Sequence, residues 1–108
     1  MSKVRDDLGL WLVHELGMEP EVRFTGIRGA RRWRWDWADV GRRVAVEYEG
    51  RGVGHQSVGG LYRDAEKQSQ AVVCGWRVIR CTARSTADGE CQRWITAVLA
   101  QQEDRPER

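Results

Sequence analysis

Asp36, Glu47 and Glu49 are the residues whose types and spacing point most directly to chemistry. They lie on two short apolar segments that read as the strands of one hairpin. In residues 32–38, Trp33, Trp35 and Trp37 alternate with Arg34 and Asp36; in residues 43–49, Val44, Val46 and Tyr48 alternate with Ala45, Glu47 and Glu49. Side chains of a strand alternate with period two, so the three acids are expected on one face and the Trp and Val/Tyr rows on the other. Folding the chain back at residues 39–42 sets Asp36 opposite or diagonal to Glu47. Two like charges about 4 Å apart repel by roughly 4 kcal/mol at an effective dielectric of about 20. Such a cluster must be solvated, protonated or neutralised, and a divalent cation that prefers oxygen ligands, Mg²⁺ or Mn²⁺, suits it.

Positive charge surrounds these acids. Arg28, Arg31, Arg32, Arg34, Arg42, Arg43 and Arg51 all fall in or beside the hairpin, the distribution expected where a polyanion approaches a cation site. The competing reading is a solvated, arginine-rich hairpin edge that discourages aggregation. A net charge of +2 and a pI of 8.6 do not by themselves mark a nucleic-acid binder. His55 sits in residues 50–60, too rich in glycine for a regular element and too long for a tight turn. It reads as a proton-transfer group or phosphate contact, or else as an exposed loop histidine. His14 reads as structural. The tryptophan rings read as hairpin core rather than as platforms for stacked bases.

The elements that must position these groups follow from periodicity. Residues 4–16 predict an amphipathic helix stopped by Gly17, and residues 21–25 a first strand ahead of the hairpin. Residues 61–74 predict a helix with Leu61 or Tyr62, Ala65, Ser69, Val72 and Val73 on one face, Arg63, Asp64, Lys67 and Gln70 on the other, and Gly75 as its stop. Residues 76–81 are the next strand, so a strand, helix and strand in succession imply a right-handed parallel crossover. Ser85 with Asp88 offers a capping box for a last helix whose Cys91, Trp94, Ile95, Val98 and Leu99 recur at helical spacing. The order α-β-β-β-α-β-α gives an α/β fold with a mixed central sheet flanked by helices. Residues 1–102 are expected to form one domain and residues 103–108 a polar tail.

Trp33-Arg34-Trp35-Asp36-Trp37-Ala38, then Val44-Ala45-Val46-Glu47-Tyr48-Glu49-Gly50, His55, Tyr62-Arg63-Asp64-Ala65-Glu66-Lys67 and Gly75-Trp76-Arg77-Val78-Ile79-Arg80 together resemble small phage and bacterial nucleases of the PD-(D/E)XK superfamily. The likeness runs from about residue 21 to residue 80. It is similar to the branch holding VRR-NUC-like and Holliday-junction-resolvase-like proteins, near the very short patch repair type. The resemblance implies a restriction-endonuclease-like core and a Mg²⁺-dependent endonuclease acting on DNA, branched four-way junctions included. Asp36 matches the metal-binding aspartate and Glu47 the acid of the (D/E)XK element, with the Tyr48 carbonyl as a further metal ligand in the family manner. Glu49 stands where that element has lysine. In related branches a basic residue of the following helix takes over, which implies that role for Lys67. The first-helix acid has four candidates: Asp6, Asp7, Glu15 and Glu21. Arg34, Arg51, His55 and Arg63 are the expected DNA contacts. The same resemblance admits two other readings, a DNA-binding module on this fold without turnover and a restriction- or mismatch-repair-like nicking nuclease.

Composition bounds the rest. At 108 residues with 41% hydrophobic and 31% charged residues, the chain is expected to be globular, and no apolar run reaches the roughly 20 residues of a membrane span. The first residues carry charge but no apolar signal region, so a cytoplasmic location is expected. Cys74, Cys81 and Cys91 are an odd number without CxxC spacing, which disfavours a disulfide framework or thiolate zinc and favours buried thiols. A chain with one site cuts one strand, so paired incisions predict a homodimer, with the first helix (Trp11, Leu12) or the last (Trp94, Ile95, Val98, Leu99) supplying its interface.

Overall fold

The computed structural model describes residues 2–27, 32–50 and 58–103. Arg28, Arg31, Arg51 and His55 lie outside the described residues, and with them the DNA contacts and proton-transfer role expected of Arg51 and His55. Helix α1, Lys3–Leu10, begins at Ser2, whose hydroxyl accepts the Arg5 N–H at 3.2 Å, and continues as a π-helical turn over Trp11–Glu15. Gly17 ends it at φ +70°, a conformation that disfavours any residue with a Cβ. Strands β1 (Glu19–Thr25), β2 (Arg32–Asp39) and β3 (Val44–Glu49) follow, then helix α2 (Val58–Val73), strand β4 (Arg77–Thr82), the short helix α3 (Ala83–Ala87) and helix α4 (Glu90–Glu103).

The sheet order is β1-β2-β3-β4, with β1/β2 and β2/β3 antiparallel and β3/β4 parallel. Parallel neighbours cannot be joined by a tight turn, and α2 lies in the connection between them. The molecule is thus an α/β domain with a four-stranded mixed sheet flanked by helices. Apolar residues cover both faces. On one, Trp37, Val44, Val46 and Cys81 pack with Leu8 and Leu12 from the N-terminal helical segment, with Met18 just after it, and with Cys91 and Ile95 from α4. On the other, Phe24, Trp35, Ala38 and Ala45 pack with Ala71 of α2 and with Trp76. Phe24 stacks on Trp35 with centroids 4.7 Å apart, and Trp76 tilts against both at 5.7 Å, each contact contributing about 0.5–1.5 kcal/mol beyond simple burial.

Four expectations are corrected here. Trp33, Trp35 and Trp37 do not share a face: Trp35 and Trp33 join the α2 side, and Trp37 the α1/α4 side. The cause is an interruption of the pleat, because β1 pairs with β2 at Pro20–Trp37 and Val22–Trp35 but skips Glu21 and Asp36, and Glu21 adopts φ +53°. The capping box belongs to Thr82 and Ser85 at the start of α3, where each side chain accepts the other residue's backbone N–H at 3.0 Å. Asp88 instead accepts the Glu90 N–H at 3.3 Å, at the head of α4. Helix α2 begins at Val58, three residues before its expected start; of its two sides, which periodicity does not assign to sheet or solvent, the apolar one leaves Val58, Leu61, Tyr62, Val72 and Val73 exposed. Finally, Leu12 and Ile95, expected at a dimer interface, are fully buried, and Val98 and Leu99 pack against the same core, so most of the apolar surface of those two helices lies inside the domain, with Leu10 and Trp94 left exposed.

Candidate functional site at the fork of β2 and β3

The β2/β3 ladder runs from Asp39–Val44 through Trp37–Val46. Beyond that pair, carboxylates take over the cross-strand bonding. The Asp36 N–H donates to Glu47 Oε2 at 3.1 Å, and the Tyr48 N–H donates to Asp36 Oδ2 at 2.8 Å. Alternation along β3 carries Ala45, Glu47 and Glu49 to the α2 face, as their spacing predicts. Asp36 sits where the pleat of β2 is interrupted, so its carboxylate enters the gap between the strands rather than joining that row.

Helix α2 delivers Lys67 to this fork. Its Nζ donates to Glu47 Oε1 at 2.8 Å and to the Arg34 carbonyl at 2.6 Å, and lies 4.5 Å above the Trp35 ring. The ammonium and the carboxylate keep only 13% and 15% of their side-chain surface in contact with solvent. At that depth an ion pair stripped of one partner leaves an uncompensated charge, at a cost that reaches 3–5 kcal/mol for fully buried pairs. Such a pairing is therefore held firmly, unlike an exposed lysine bridge. Asp64, the nearer neighbour on α2, engages Arg80 instead, at 2.7 Å.

Two guanidinium groups that periodicity does not single out complete the site. Arg5 of α1 approaches Asp36 Oδ1 at 3.8 Å while lying 4.8 Å above the Trp37 ring. Arg80 of β4 is registered beside Glu47 across the parallel pair, and it contacts Glu49 at 3.6 Å as well as Asp64. Burial works against the Arg80 charge, but the hydrogen bond to Asp64 and the fields of Asp64, Glu47 and Glu49 outweigh it and raise its pKa above the ordinary value. A register between β3 and β4 would have revealed Arg80, since parallel pairing puts both residues on one face. Arg5 carries no comparable signal, because a helix face cannot be docked on a sheet from sequence alone.

The expected three-acid cluster is not formed. Glu49 turns to Arg80, and among the described residues no group of three or more His, Cys, Asp or Glu side chains converges as metal ligands. Asp36 and Glu47 remain together. Of the first-helix candidates, Asp7 pairs with Lys3 at 3.0 Å and Glu21 faces Arg34 at 3.9 Å, while Asp6 and Glu15 are exposed on the N-terminal helical segment. The group that this segment brings to Asp36 is a cation. Arg34 and Arg63 are exposed, and the Tyr48 ring packs against the α1/α4 core while its N–H bonds Asp36.

Asp36 and Glu47 are the carboxylates of the fork that could hold a hard divalent ion, which characteristically takes one or two carboxylates and keeps several waters; here their oxygens face the Asp36 and Tyr48 N–H groups, Lys67 and Arg5. Around the fork, Arg5, Lys67 and Arg80 set three positive charges against the four carboxylates of Asp36, Glu47, Glu49 and Asp64, leaving one negative charge in excess. Comparison of the chain with family models, curated proteins and solved structures gave no significant match, so the reading of this site rests on its own geometry.

Proposed function

We propose that this protein is a Mg²⁺- or Mn²⁺-dependent DNA endonuclease of the PD-(D/E)XK kind, with Asp36, Glu47 and Lys67 as its reacting core. The observation that carries the reading is the 2.8 Å contact between Lys67 and Glu47 beside Asp36. It supplies from α2 the lysine that Glu49 displaces in sequence. Asp36 and Glu47, with the Tyr48 carbonyl, would hold the metal. When bound, the ion polarises a phosphoryl oxygen and lowers the pKa of a coordinated water. Lys67 commits two of its three N–H donors to Glu47 and Arg34, and the third serves the attacking water or a phosphate oxygen. The exposed Arg34 and Arg63 draw the DNA backbone toward the fork, and branched, four-way DNA is the favoured substrate. Two copies of the chain supply the two incisions that a junction requires.

One observation favours a second reading, a DNA-binding module without turnover: Asp36, Glu47 and Glu49 each already face an internal cation. The test separates the two. Incubated with labelled single strands, duplex, flaps and four-way junctions, the protein is expected to cleave in Mg²⁺ or Mn²⁺ and not in chelator. Asp36→Asn and Glu47→Gln should each abolish cleavage while DNA affinity persists, the second at a cost in melting temperature because it leaves the buried Lys67 ammonium without its counter-charge. Binding without cleavage in either metal, by wild type and variants alike, would establish the non-catalytic module.

A further inference from the structure

We infer that Arg5 is a phosphate-positioning residue that exchanges partners: it covers Asp36 in the free protein and turns to a phosphodiester oxygen of DNA once that carboxylate is given over to a divalent ion. The inference rests on the proposed metal-dependent reading of the fork and deepens it. Four carboxylate oxygens of Asp36 and Glu47 meet there, and three are committed. Glu47 Oε1 accepts from Lys67 at 2.8 Å, Glu47 Oε2 from the Asp36 N–H at 3.1 Å, and Asp36 Oδ2 from the Tyr48 N–H at 2.8 Å. The fourth, Asp36 Oδ1, accepts no hydrogen bond among the described residues. It faces the Arg5 guanidinium at 3.8 Å, beyond hydrogen-bonding distance.

Arg5 is the matching uncommitted donor. Its guanidinium carries five N–H groups in one plane, and among the described residues none of them makes a hydrogen bond. Lys67 and Arg80 differ, each donating to a carboxylate, at 2.8 and 2.7 Å. What holds Arg5 in place is the ring beneath it. Gly9, one turn further along α1, lies so close to the sheet that a Cβ there would come within 2.9 Å of Trp37 Cζ2. Residues four apart share a helix face, so the approach that Gly9 permits also lays Arg5 over the Trp37 ring, 4.8 Å from its centroid. The Arg5 side chain keeps 42% of its surface in solvent and lines, with Leu10, Val13 and Trp37, an open groove of about 420 Å³ beside the fork. A phosphodiester approaching Asp36 therefore has room next to the guanidinium. The other ionisable groups of the groove, Asp6 and His14, are both exposed, where solvent and salt screen them.

Charge decides the order of the exchange. With one negative charge in excess around the fork, a phosphate is repelled and Arg5 stays over Asp36. Coulomb attraction grows with charge and falls with distance, so a doubly charged ion in contact with Oδ1 outcompetes a singly charged group standing 3.8 Å away. Two added charges turn the excess from one negative to one positive. Arg5 is then drawn to an incoming phosphate, whose oxygens its planar donors can meet in pairs.

The test compares the full-length wild type with Arg5→Gln and Arg5→Lys, using Ca²⁺ because it accepts irregular oxygen geometry. Affinity for a labelled four-way junction is measured by fluorescence anisotropy in chelator and in Ca²⁺, and the ratio of the two is the gain due to the ion. The wild-type gain should exceed that of Arg5→Gln by on the order of tenfold, the worth of a hydrogen bond to a charged group. Arg5→Lys keeps the charge without the paired donors and should fall between them. Titrated with Ca²⁺ alone by calorimetry, Arg5→Gln should bind the ion more tightly than wild type, because its competitor is gone. No gain in wild type, equal gains in wild type and Arg5→Gln, or ion binding that is unchanged or weaker in Arg5→Gln would each overturn the inference. Cleavage in Mg²⁺, scored separately, tells the two readings apart. A gain that depends on Arg5 without cleavage removes the nuclease reading and keeps the exchange, whereas cleavage with a gain independent of Arg5 does the reverse.

Discussion

Lys67 brings to Glu47 in space the lysine that Glu49 displaces in sequence, and the proposed chemistry depends on it. Glu49, two residues beyond Glu47, turns to Arg80, while a lysine eighteen residues further on meets Glu47 from the helix. Lys67→Ala is expected to lower turnover by on the order of a hundredfold, the usual contribution of a positioned charge or acid-base group. Metal affinity should not fall, because the ammonium competes for the same carboxylate. Single-turnover cleavage and metal titration by calorimetry check the two halves separately, and a loss below threefold would return Lys67 to a purely structural role.

At the scale of elements, the interruption of β1 and β2 governs where Asp36 goes. Glu21 holds a left-handed conformation, which costs an L-residue about 1–2 kcal/mol and glycine little. Glu21→Gly should therefore raise the melting temperature by a few degrees and Glu21→Val should lower it, as read by calorimetry. Loss of the exposed contact to Arg34 at 3.9 Å barely enters, since surface pairs contribute about 0–1 kcal/mol. The strands, the long helices and the parallel pairing of β3 with β4 were legible because hydrophobic period and glycine stops are local signals. The pleat interruption was not, for nothing in Glu21-Val22-Arg23 announces a positive φ. Nor was the outward turn of the apolar side of α2, since periodicity reports that a helix has two sides and not which one meets the sheet. For the site, Asp36 and Glu47 stood out as acids in strands, whereas Arg5 and Arg80 depended on docking and register.

Across the whole molecule, two apolar layers enclose the sheet, and its cysteines sample them unequally. Cys81 and Cys91 are fully buried in the α1/α4 layer, while Cys74, at the end of α2, is partly exposed. Burial, reinforced by Cys91, pushes the Cys81 thiol far above its ordinary range. A thiol reagent at neutral pH is therefore expected to modify one cysteine of the native protein readily and the other two only as fast as the domain unfolds. Equal labelling of all three would mean that the layer opens on its own. The fork carries a different implication. Where β2 and β3 part, Asp36 and Glu47 stand in for two missing rungs of the ladder, so each carboxylate proposed as a metal ligand is also a strand connector. Truncating either to alanine would unzip the hairpin's end together with the chemistry, and the resulting loss of activity would say nothing about catalysis. Asparagine and glutamine keep an oxygen to receive the same N–H groups while removing the charge, and only such isosteric exchanges can tell a dead enzyme from a frayed sheet.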